Sequence, residues 1–168
     1  IDTVNDIIID QPDSELLLTA DIVDVFPCNG DQTGSINPTA SGGTPPYQYS
    51  TTPGVFLNQL SSGLYTVSVQ DANGCVLEDD FFVDEPDVIS AIINTVDASC
   101  FGVSDAQANA TPTGGTGPYV VLWTDLFGND VDNSNLSAGT YLLSIEDDFG
   151  CTFSEYVPIF EPPISDMV

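Results

Sequence analysis

The chain has 168 residues, with 26 Asp and Glu and not one Lys, Arg or His, for a formal net charge of −26 at pH 7. That balance removes the side chains that neutralise phosphates, so it sets aside nucleic acid as a partner and docking on an anionic membrane surface with it. Hydrophobic residues at 42%, against 15% charged, describe a folded protein with an acidic skin rather than a disordered acidic tail.

Taken in order, the chain opens on residues 1–12, ending in IIIDQP, which resembles FFVDEP ending at Pro86 and PIFEP ending at Pro162. The three prolines mark three domain ends. Residues 1–12 therefore read as the last strand of a preceding copy, 13–86 and 87–162 as two full copies, and 163–168 as the start of a following one. The expected whole is a window on a longer tandem array. In the first copy a strand is expected over 16–25, a turn at PCNGD (27–31) and a second strand over 35–40, where Pro38 points to an edge or a bulge. GGTPPY (42–47) and its counterpart GGTGPY (114–119) supply backbone freedom and a fixed φ ahead of strands starting at Tyr47 and Tyr119.

The strongest internal match is LSSGLYTVSVQDANGC (60–75) against LSAGTYLLSIEDDFGC (136–151). Tyr65, Val67 and Val69 alternate with polar neighbours, as Tyr141, Leu143 and Ile145 alternate along the second copy, which is the period of a half-buried antiparallel strand. DANG and DDFG then reverse the chain into last strands over 76–83 and 152–160. About seven short strands per copy, with no helical periodicity, predict an all-β fold of tandem immunoglobulin-like, Greek-key β-sandwich domains. Leu60, Gly63 and Tyr65, with Leu136, Gly139 and Tyr141, fit a tyrosine corner, in which the phenol bonds upstream backbone. Trp123 is expected in the core, with Thr51 as its counterpart. Four extra residues enter copy two within 124–135.

Four cysteines allow three pairings, or four free thiols. The repeat favours Cys28 with Cys75 and Cys100 with Cys151, one disulfide per domain, each closing a loop worth roughly 4 kcal/mol in the chain-entropy model. Without His, Lys or Arg, acid–base and nucleophilic catalysis reduce to carboxylates, hydroxyls and thiols, so no enzyme is expected. Calcium, which takes oxygen ligands, is the cofactor to consider. Its candidate ligands are Asn129, Asp130, Asp132, Asn133 and Asn135 in the inserted loop, and Asp84, Glu85 and Asp87 at the junction. Asn109 and Asn135 stand in sequons, and Thr3 in an O-glycosylation-like Asp-Thr-Val.

The ordered set of motifs carries a resemblance: Cys-x-Gly (Cys28, Gly30; Cys100, Gly102), Gly-Gly-Thr-x-Pro-Tyr, Leu-x-x-Gly-x-Tyr, Asp-x-x-Gly-Cys and Glu-Pro (Glu85, Pro86; Glu161, Pro162). It resembles the SprB repeat, found in tandem in large surface proteins of gliding Bacteroidota, and departs from that pattern in having Thr51 where Trp is usual. The resemblance implies type IX secretion, an extracellular or cell-surface location, and a role as an adhesin, stalk or fibre. The expected partners are neighbouring repeats of the same protein, possible polymeric assembly included, or a surface polysaccharide bound through calcium or exposed aromatics such as Phe56, Tyr119 and Phe127. No direct membrane insertion is expected, and any export signal or anchor would lie outside this stretch.

Overall fold

The computed structural model describes residues 14–52, 54 and 56–164. Among them there is no helix. The strands are β1 (Leu17–Val23), β2 (Gly34–Ser41), β3 (Gln48–Thr52), β4 (Asn58–Leu60), β5 (Gly63–Gln70), β6 (Val76–Val83), β7 (Ser90–Val96), β8 (Gln107–Thr113), β9 (Val120–Thr124), β10 (Gly139–Glu146) and β11 (Thr152–Ile159). The fold class is all-β, with antiparallel sheets as in an immunoglobulin-like sandwich. Contacts divide the chain into two compact units. One runs up to Phe26 and from Gly30 to Glu85, and the other takes Pro27–Asn29 and the chain from Pro86 onward. Thr3 lies outside the described residues.

In the first unit, sheets β1-β2-β4 and β3-β5-β6 enclose Leu18, Val25, Ile36, Leu60, Val67, Val69 and Val83. The alternating strand delivers its inward face as expected, since Val67 and Val69 are fully buried. Pro38 pairs with Ala20 on β1, whereas β4 reaches β2 only at Gly34 and Ser35. Pro38 thus sits where β2 has a neighbour on one side only, and its missing N–H costs no ladder bond.

In the second unit, sheets β7-β8 and β11-β10-β9 surround a core that includes Ala106, Ala108, Trp123, Leu136, Leu143 and Ile145. Among the described residues the units carry six strands and five, rather than about seven each. The second unit has no counterpart of β4 as a strand, only a single bridge from Ala106 to Leu136. Where the first core has Ile36, with Thr51 half-buried outside the cluster, the second has Ala108 and Trp123.

The expected disulfides within each copy are corrected. The bridge present joins Cys28 to Cys151, 123 residues apart, while Cys75 and Cys100 are free thiols exposed to solvent. The reason is the length of one strand. Cys75 stands immediately before β6, whereas the Cys28 loop is tied to the far end of β6 by Gly30 N–H donating to Glu85 Oε2 at 2.8 Å. Eight residues at about 3.3 Å each place those ends roughly 26 Å apart, beyond the ~7 Å Cα reach of a disulfide. In copy two, β11 separates Cys151 from Cys100 in the same way, with Gly102 N–H on Glu161 Oε2 at 2.7 Å. The Cys28–Cys151 loop is worth about 5 kcal/mol in the chain-entropy model.

Candidate functional site

The signature motifs converge on a buried carboxylate. Asp71 and Asp147 are the buried charged residues of the described chain, each 5% exposed. Asp71 Oδ1 accepts the N–H groups of Asn73 and Cys75, and Oδ2 accepts that of Thr44, 27 residues upstream, at 3.0 Å. In copy two, Asp147 Oδ1 accepts from Phe149 and Cys151, and Oδ2 from Thr116 at 2.9 Å. A return bond closes each knot, Ala72 N–H to Thr44 O and Asp148 N–H to Thr116 O. Gly-Gly-Thr and Asp-x-x-Gly-Cys are therefore two halves of one lock.

The paired glycines are set by that lock. A Cβ on Gly43 or Gly115 would stand 2.8 Å from the Asp71 or Asp147 Oδ2, and both residues hold positive φ. The tyrosine that ends each motif adds a second fastening. Tyr47 and Tyr119 donate to the carbonyls of Gly42 and Gly114, each at 2.6 Å, across cis Pro45–Pro46 and Gly117–Pro118 bonds.

Electrostatics at the knot favour ionised carboxylates. Burial alone pushes the Asp71 carboxyl up, and the backbone N–H groups of Thr44, Cys75 and Asn73 outweigh it, leaving the group below the ordinary aspartate range. For Asp147 the Thr116 N–H is the largest influence, acting against burial and aided by the N–H groups of Cys151 and Phe149, with the same net direction. With no cation in the described chain to pair with, oriented backbone dipoles do the stabilising.

The expected tyrosine corner is present in both copies. Tyr65 O–H donates to Ser61 O and Tyr141 O–H to Ser137 O, each at 3.0 Å, beside buried Leu60 and Leu136. Gly63 and Gly139 open strands β5 and β10.

The candidate calcium ligands are employed otherwise. Asp132 Oδ1 accepts the N–H and Oγ–H of Ser134, and its Oδ2 accepts Asn135 Nδ2 at 2.7 Å. These bonds, led by the Ser134 hydroxyl, lower the Asp132 carboxyl below its usual range. Asn133 Nδ2 donates to Ala108 O, and Asp130 bridges to Thr124. Near the junction, Glu85 accepts from Gly30, Asp84 Oδ1 accepts from Glu85 N–H, and the Asp87 carbonyl accepts from Gly115 N–H. No group of three or more His, Cys, Asp or Glu that could hold a metal ion occurs among the described residues. Both Asp132 oxygens are thus turned into its own loop.

Of the sequons, Asn109 is exposed on β8, paired with Asn94, and Asn135 is engaged with Asp132. Among the aromatics, Tyr119 is held by its hydroxyl, whereas Phe56 and Phe127 are 88% and 92% exposed. The sequence reading missed the Asp71 and Asp147 hubs and the Tyr47 and Tyr119 fastenings. The signal available was the recurrence of Asp, Thr and Tyr at matched positions in both copies.

A family model described as the SprB repeat matches residues 19–56 and 92–126, one segment in each copy. No curated protein matches the chain. No helix of the described residues is long and apolar enough to cross a membrane.

Proposed function

Because both copies carry the SprB repeat, a repeat of surface-exposed proteins, we propose that this chain is a structural and adhesive segment of a secreted bacterial surface protein, acting as a stiff stalk or part of an extracellular fibre. What supports the reading is the use to which the shared residues are put. Apart from the bridged cysteines, the signature motifs hold the copy's own backbone: Asp71 and Asp147 accept N–H groups of their loops, Glu85 and Glu161 accept those of Gly30 and Gly102, and Tyr47 and Tyr119 donate to the carbonyls of Gly42 and Gly114. Residues repeated for a binding function would instead present donors and acceptors to solvent. Net charge of −26 fits an exposed setting, where repulsion keeps neighbouring molecules apart. Export by the type IX route and a part in gliding belong to the same proposal.

A glycan array probed with the intact chain, in calcium and again in chelator, tests this reading. The expected result is no reproducible hit in either condition. Calcium-dependent binding to one class of polysaccharide, lost in Phe56→Ala or Phe127→Ala, would overturn it in favour of a carbohydrate-binding module.

A further inference from the structure

The free cysteines Cys75 and Cys100 occupy the same local frames as the bonded pair. Cys151 N–H donates to Asp147 Oδ1 at 2.9 Å and its carbonyl accepts Asp147 N–H at 3.0 Å, while Cys75 makes the same two bonds to Asp71 at 2.8 and 3.0 Å. The Cys28 loop is tied by Val25 N–H to Asp84 O, Asp84 N–H to Asp24 Oδ1 and Gly30 N–H to Glu85. The Cys100 loop repeats all three, with Ala98 to Phe160, Phe160 to Asp97 and Gly102 to Glu161. Each copy thus presents one cysteine of either kind, and the bridge observed joins one of each.

A second observation concerns the ground beside them. In the second unit a groove of about 280 Å³ is lined by both bridged cysteines, by Pro27 and Asn29 beside the first, and by Ile89 and Gly115. The first unit has the matching groove, about 300 Å³, lined by Leu16, Gly43, Asp71, Cys75 and Leu77. The glycines establish the match, since Gly43 packs near Leu16 as Gly115 packs near Ile89. What lies along the second groove is a three-residue loop carrying a cysteine of the Cys28 kind. The loop of that kind left over in this chain is Ser99–Phe101.

We propose that Cys100 of one copy of this chain forms a disulfide with Cys75 of another, laying its Ser99–Phe101 loop along the Leu16/Gly43/Cys75 groove as a further wall. Each thiol gives up one proton and one electron as the Sγ–Sγ bond forms, and a disulfide oxidant such as oxidised glutathione takes them up, opening to two thiols. One contact differs: Asn29 donates to Pro86 O in the existing bridge, whereas Phe101 brings an exposed ring. Because the joint pairs a cysteine of one kind with one of the other, it is heterologous and leaves a further cysteine of each kind to carry it on from chain to chain. The inference deepens the stalk reading by naming its partner.

The test uses Cys75→Ser and Cys100→Ser, both at exposed positions outside the bridge. In a glutathione redox buffer each variant alone stays monomeric on a non-reducing gel. Their equimolar mixture gives a dimer that pairs one of each, and the wild-type chain gives a ladder. Digestion with pepsin, since trypsin has no Lys or Arg to cut, links the Cys100 peptide to the Cys75 peptide by mass. Homodimers of either variant in the proportion of random pairing, or a wild-type chain whose Cys75 and Cys100 both remain alkylatable, would overturn the proposal. The readout is thiol pairing and not glycan binding, so its failure is distinguishable from failure of the stalk reading.

Discussion

Asp147 and Asp125 build the same turn in one domain copy and differ in a single further bond. Both open an Asp-x-Phe-Gly sequence, DDFG and DLFG. Each Oδ1 accepts the N–H groups two and four residues on, at 2.9 Å, and each main-chain N–H donates to the carbonyl four residues on. The other oxygen separates them. Asp147 Oδ2 reaches Thr116 across 31 residues, while Asp125 Oδ2 meets Asn129 Nδ2 within its own loop. Both carboxyls lie below the usual aspartate range, Asp125 chiefly through the Asn129 side chain and Asp147 chiefly through the Thr116 backbone. Identical local chemistry therefore makes a lock in one place and a loop tip in the other. The difference is tertiary.

Trp123, the sole tryptophan, lies in the core of the second unit and reports on its melting. The largest expected effect is acid. Groups whose folded pKa is lowered contribute stability that is fully present above the ordinary aspartate range and lost as pH falls through the lowered values, so the Trp123 midpoint drops over that window. Next, Asp147→Ala leaves the N–H groups of Thr116, Phe149 and Cys151 without their acceptor, and the midpoint is expected to fall by on the order of 10 °C. The acid limb should also become shallower, and an unchanged slope would place the effect elsewhere. Tyr119→Phe removes one hydrogen bond from the same loop and should cost about 1 kcal/mol in chemical unfolding. Asp125→Ala should stay within about 2 °C, since its bonds are local and exposed. A drop matching that of Asp147→Ala would erase the distinction between lock and loop.

The strands were legible in the sequence because burial with period two depends on neighbours along the chain. Val67, Val69, Leu143 and Ile145 announce their face without knowledge of the rest. The tyrosine corner was legible for the same reason, as its bond spans four residues. The carboxylate knot was not, because the Thr44 and Thr116 amides that complete it lie far upstream and carry no side-chain signature of the bond. The disulfide misled because two cysteines per copy suggest a closed pair. Only the span of β6 shows that the pair stands at opposite ends.

The offset of the Cys28–Cys151 bridge also bears on how such a chain can change its length. A bond confined to one copy would make each copy self-sufficient, whereas this one takes its two halves from successive copies. A reductant therefore opens one closure of 123 residues rather than two short ones, and lets the chain lengthen between the copies without touching the hydrogen bonds of either carboxylate knot.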